Sequence, residues 1–180
     1  MSDSSGHAEA RLDSLLATFA AQLGRDAEGY GNHVRRVFGL VRAQGPHLSA
    51  DELQQVAVAA VFHDLGIWTD DTFDYLAPSR ARADTYLHDE GRTDWIPVVN
   101  AMIMEHHKLR PVRDASLVEA FRRADLCDVS LGLMQRGIPA GEYAHLRAKH
   151  PIAGFHLRLV QFAGGQVRKH PLRPLPMLRW

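Results

Sequence analysis

A single cysteine, Cys127, in 180 residues excludes an intramolecular disulfide framework and any cysteine-based zinc cluster. Net charge is absent as well, because 21 Lys and Arg balance 21 Asp and Glu. That balance argues against broad electrostatic capture of nucleic acid or anionic lipid. No apolar run approaches the ~20 residues that span a bilayer. The N-terminal MSDSSGHAEA lacks the basic and apolar pattern of a signal peptide. A cytoplasmic protein with no membrane partner is therefore expected. Strand patterns are scarce, and no internal repeat or low-complexity segment is present. What is there is a globular composition, 46% hydrophobic and 23% charged, at a length that suits one domain. Eleven histidines stand out in so short a chain.

The zero net charge conceals an asymmetry. From Tyr143 onward there are seven Lys or Arg and no Asp or Glu, whereas residues 1–142 hold 14 basic and 21 acidic residues. The acid excess is concentrated in residues 51–95, with ten carboxylates against three arginines. Such a region either attracts cations or forms a solvated face.

Helix-period apolar patterns recur along the chain and predict an all-α bundle. Residues 1–10 are expected as a mobile tail, 11–165 as one helical domain and 166–180 as a proline-rich basic arm. Leu12, Leu15, Leu16, Phe19 and Leu23 mark a first helix ending near Gly24, and Val34, Val37, Phe38 and Val41 a second ending near Gly45-Pro46. A third, capped by Ser49 or Asp51, runs through Leu53, Val56, Ala57, Ala60 and Val61 to about Leu65. Residues 66–78 read as irregular, followed by a helix from a Ser79 cap to about His88. Pro97 suits the first turn of the next helix, which Pro111 ends. Further helices are expected over Ala115–Leu133, over 141–148 and from Pro151 to about Phe162. The arm QVRKHPLRPLPMLRW holds three prolines and is expected to be extended. It would pack on its own acidic body or on a second copy of the chain in a homodimer.

Helix-face sorting separates the histidines. His63 and Asp64 fall on or beside the apolar stripe of the third helix, and His33 shares a face with Val37, Leu40 and Val41. His106 and His107 continue the stripe of Val99, Met102 and Ile103, and Asp125 follows Val118, Phe121 and Ala124, with Asp128 one turn on. An ionised Asp on an apolar face is costly unless paired or metal-bound. Four helices thus each bring His or Asp inward, and bundles build metal sites from facing helices. Nitrogen and oxygen donors without thiolate suit Mn, Fe, Co, Ni or Zn.

The order His33, His63-Asp64, Asp125 on successive helices resembles the HD-domain superfamily, over roughly residues 28–133. The strings VFHDLGIW, MIMEHHKLRP and FRRADLCD are similar to those of its bacterial members. The resemblance implies an HD-type helical bundle and a metal-dependent phosphohydrolase. It makes His33, His63, Asp64 and Asp125 the ligands of one metal. In two-metal members the dipeptide Asp bridges both ions, which would be the catalytic role of Asp64. Histidines between the dipeptide and the last Asp then join, here His106, His107 and His88. Adjacent helical residues diverge by about 100°, so both His106 and His107 can serve only in a wide or two-metal site.

The chain also departs from the pattern. Ile67 stands where cyclic-dinucleotide-cleaving members carry Lys and where members acting on 5′-nucleotides often carry Glu. The Gly-Tyr-Pro signature and the acidic pair of alarmone-hydrolysing members are missing too. The resemblance therefore implies a small phosphorylated substrate without naming it. Lys108, Arg110 and Arg122 are the candidate clamps for its phosphate. Asp70, Asp71 and Glu105 are candidate proton donors, and Trp68 and Tyr75 are either pocket walls or core. Two other readings stand beside the hydrolase: an HD-type di-iron oxygenase, and a non-catalytic metal- or nucleotide-binding module. Nucleic acid is not the expected partner, because the basic residues of the C-terminal part are spread over 38 positions without a recognised motif.

Overall fold

In the computed structural model, which describes residues 2–45, 48–108, 110–112, 116–172 and 176–177, the chain is an all-α bundle with no strand among the described residues. Among the described residues ten α-helices follow one another: α1 (Ser2–Thr18), α2 (Ala20–Leu23), α3 (Ala27–Gln44), α4 (Ala50–Phe62), α5 (Gly66–Thr69), α6 (Leu76–Asp89), α7 (Ile96–Glu105), α8 (Ser116–Val129), α9 (Glu142–Lys149) and α10 (Phe155–Lys169). None is long and apolar enough to cross a membrane.

The centre of the bundle is α4. Its residues from Val56 to Phe62 are all buried, so it is apolar on every side. A helix of that kind needs neighbours all round, and α4 packs against α1, α3, α6 and α7. Its start is fixed by a capping box: Ser49 Oγ accepts from Glu52 N at 3.2 Å, and Ser49 N donates to Glu52 Oε2 at 2.8 Å. Of the two expected caps, Ser49 is the one used. Four helices close a ring around the site, because α3 meets α4, α4 meets α7, α7 meets α8 and α8 meets α3.

Three local expectations change. The first helix begins at Ser2, inside the expected tail, because Ala8 extends the stripe of Leu12, Leu15 and Leu16 by one turn and is itself buried. Ser79 lies within α6 and does not cap it. The helix starts at Leu76, with Pro78 tolerated in its first turn, and Ser79 Oγ instead accepts from Gly66 N at 2.9 Å. That contact needs glycine, since a Cβ at residue 66 would stand 2.8 Å from Tyr75 O. Finally, α10 runs past the expected boundary of the arm to Lys169 and carries Gly164 and Gly165 in its interior. Residues 173–175 and 178–180 of the arm lie outside the described residues, as do Pro46, His47 and Ala115. Met177 is described, and it packs on the body against Ile67, Tyr75 and Leu76.

Candidate metal centre

Two helix ends meet in the ring. Helix α4 stops at Phe62 and α7 at Glu105, so His63-Asp64 and His106-His107 both sit just beyond a C-terminus. Such ends expose carbonyls and carry the negative pole of the helix dipole. His63 Nδ1 donates to Ala60 O at 2.8 Å and His106 Nδ1 to Ile103 O at 2.7 Å. A carbonyl only accepts, so both Nδ1 atoms carry hydrogen and both Nε2 atoms turn inward, where they are the nitrogens left for a cation. His33, from α3, is set the same way, with Nδ1 2.7 Å from Asp128 Oδ2. Metal-ligating histidines are typically oriented by such outer hydrogen bonds.

The inward atoms form two groups. In the first, His33 Nε2 lies 3.0 Å from His63 Nε2, 3.8 Å from Asp64 Oδ2 and 3.6 Å from Asp125 Oδ1. His63 Nε2 is 3.4 Å from Asp64 Oδ2 and 3.6 Å from Asp125 Oδ1. Donors about 2.1 Å from one small cation stand roughly 3.0–3.4 Å apart at right or tetrahedral angles, so the spacing fits a cation between them. The second group is Asp64, His106 and His107. In it Asp64 Oδ1 is 3.3 Å from His106 Nε2, and His107 Nδ1 is 3.9 Å from Asp125 Oδ2. Asp64 thus gives one oxygen to each group. Asp64 Oδ1, His106 Nε2 and Asp125 Oδ1 are buried without a hydrogen-bond partner, a costly state that a shared cation relieves. These buried His and Asp groups can hold a metal ion.

The electrostatics agree. Burial opposes charge on His63, but Asp64 and Asp125 outweigh it and raise its pKa to about 9. Burial likewise opposes ionisation of Asp64 and Asp125, yet the surrounding histidines hold both below the usual carboxylate range. His107 goes the other way, since burial and the neighbouring His106 lower it to about 4. Metal-free protein therefore keeps a proton on His63. Its folded pKa of about 9 exceeds the ordinary 6.5, so the stabilisation it provides is complete below pH 6.5 and fades as pH rises through 9. A divalent cation replaces that proton and binds more tightly over the same interval. Urea midpoints of chelator-treated protein are expected to fall from pH 6.5 to 9, while the increment on adding Mn²⁺ grows. A metal increment that shrinks with rising pH would contradict this assignment.

The remaining expected site residues are distributed differently. His88 is exposed at the end of α6 and stands outside both groups. The buried face of that helix is Ser79, Ala83 and Leu87, which turns His88 outward. Arg122 is not available to a phosphate. Both its Nε and its second terminal nitrogen bond Glu119 at 2.8 Å, and its other terminal nitrogen holds Lys108 O at 3.1 Å, so it is a strut between α8 and the end of α7. Lys108 Nζ is paired with Glu105 at 2.7 Å, and Arg110 is exposed. Asp70 is held by Arg82 at 3.0 Å, and Asp71 is exposed.

Two contributors, Arg36 and Phe155, escaped the sequence reading, and a third, Tyr75, was named there only as pocket wall or core. Arg36 is fully buried and binds Asp128 through Nε at 2.5 Å and a terminal nitrogen at 2.8 Å, with further bonds to His150 O and Pro151 O. Phe155 stacks on the His33 ring at 4.1 Å and 16°. The Tyr75 hydroxyl lies 2.5 Å from His107 Nε2. Arg36 follows His33 by three residues, as Asp128 follows Asp125, so their shared faces were a readable signal. Phe155 arrives from a distant element and left none. No known protein family, curated protein or solved structure matches the chain.

Proposed function

We propose that this chain is a metal-dependent phosphohydrolase of the HD superfamily, hydrolysing an ester or anhydride bond of a small phosphorylated metabolite or nucleotide. The observation that carries the reading is Asp64, whose two oxygens face two separate buried donor groups. An all-nitrogen and oxygen set supports Mn, Fe, Co, Ni or Zn as the ion. A bound ion of this kind supplies an acidic water and polarises a phosphoryl oxygen.

The protein supplies the rest. His33, His63 and Asp125 would complete the first group, and His106 and His107 the second. The outer hydrogen bonds of His33, His63 and His106 hold each Nε2 toward the centre, so an ion displaces only the proton that metal-free His63 carries. Arg110, exposed beyond the end of α7, is the candidate cation left for the phosphate, with Arg122 committed to Glu119 and Lys108 paired with Glu105. Burial excludes water: the side chains of His33, His63 and His106 are fully enclosed, and only His107, at 19% exposure, touches the outside.

The test is metal content combined with phosphate release from a panel of phosphorylated metabolites. Phosphate release stimulated by Mn²⁺ or Co²⁺ is the expected result. Full burial of the donors also suits the second reading, a di-iron oxygenase. Two irons per chain after anaerobic purification, with oxygen uptake and no phosphate release, would establish that reading instead. Tight nucleotide binding without turnover in metal-replete protein would establish a binding module.

A further inference from the structure

His107 breaks the pattern of the other site histidines. His33, His63 and His106 hold Nδ1 outward and turn Nε2 inward. His107 turns Nδ1 toward Asp125 and gives its Nε2 to the Tyr75 hydroxyl at 2.5 Å. A carbonyl one turn back fixes His63 and His106, whereas His107 is fixed by a phenol from another part of the chain.

Tyr75 is well placed to impose that orientation. It is 2% exposed and packs with Ile67, Leu76 and Met177. Its carbonyl accepts from Ser79 N at 2.9 Å, and Gly66 allows the backbone of α5 to lie close against it. With Nδ1 bare toward the centre, His107 Nε2 carries the hydrogen and donates it to the phenol.

We propose that Tyr75 is a positioning residue of the second donor group, selecting the Nδ1 face of His107 and thereby deciding whether the chain holds two cations or one. The inference rests on the reading of this site as a metal centre. Tyr75→Phe is the informative change, because it keeps the ring in its apolar cluster and removes only the hydroxyl.

The experiment titrates Co²⁺ into the full-length chain, following heat and the visible spectrum, for wild type, Tyr75→Phe, His107→Ala and the double variant. Wild type is expected to take two ions. Tyr75→Phe is expected to bind the first as wild type does and the second about 10- to 100-fold more weakly, the usual cost of losing an outer-shell partner. In the His107→Ala background, Tyr75→Phe is expected to cost nothing further, since the pair acts as one unit. Wild-type affinity for both ions in Tyr75→Phe overturns the proposal. So does equal weakening of both ions, or an added loss in the double variant, because each marks a general structural role. A wild-type chain that takes no Co²⁺ overturns the metal-centre reading itself. One that takes a single ion leaves that reading standing and overturns the role of Tyr75.

Discussion

Asp64→Ala is expected to remove tight binding of divalent metal from both donor groups at once and to abolish metal-stimulated phosphate release. Each of its oxygens faces a different group: Oδ2 is 3.4 Å from His63 Nε2, and Oδ1 is 3.3 Å from His106 Nε2. Losing an outer-shell partner costs about 10- to 100-fold in affinity, so losing a direct ligand of both groups should exceed about 100-fold. The readout need not be catalytic. At 100-fold excess over its dissociation constant, a bound ion stabilises a fold by about 2.7 kcal/mol, which shifts the melting of a domain this size by roughly 5–10 °C. Wild type should show that shift with Mn²⁺ and the variant should not. The metal-free variant should keep its helices, because Asp125 remains as the counter-charge to His63. Full metal occupancy together with full activity in Asp64→Ala would show that the site has been wrongly assigned.

How far the sequence revealed this site follows from where each residue's constraint comes from. His33, His63, Asp64, His106 and Asp125 were legible because each continues an apolar stripe, and a stripe is a local property of one helix. The eight longer helices were legible for the same reason, whereas the four-residue α2 and α5 were not, α5 falling in a stretch read as irregular. His106 and His107 posed a conflict on sequence grounds, since adjacent helical residues diverge. The structure brings both to the second donor group through different ring nitrogens, His106 turning Nε2 to Asp64 and His107 turning Nδ1 to Asp125. His88 failed because order along the chain said nothing about its face, and Leu87 already occupied the inward position. Arg122 failed because a nearby partner, Glu119 one turn earlier, outcompetes any phosphate for its guanidinium. Phe155 was illegible in principle, and Tyr75 could be read only as pocket wall or core, without its partner. Their role depends on contacts across 32 residues in one case and between α10 and α3 in the other, and no periodicity encodes such a meeting.

Arg36→Leu is the change with the largest expected effect on folding, and its partner variant tells support from ligation. Arg36 and Asp128 are both fully buried and doubly bonded, and the Asp128 pKa is about 2 because hydrogen bonds from His33 and Arg36 override its burial. Removing Arg36 alone leaves the carboxylate charged and enclosed, with only His33 beside it. It also removes the bonds from Arg36 to the carbonyls of His150 and Pro151, just ahead of α10. Breaking a buried pair in this way costs about 3–5 kcal/mol, read as a lower urea midpoint. Replacing both partners, as Arg36→Leu with Asp128→Leu, removes the stranded charge and is expected to recover most of that loss. It cannot restore the orientation of His33, whose Nδ1 then lacks its acceptor. The double variant should therefore fold nearly as well as wild type yet bind Mn²⁺ about 10- to 100-fold more weakly. Wild-type metal affinity in a stable double variant would mean that the Asp128 carboxylate only holds the helices together and does nothing for the ligand it touches.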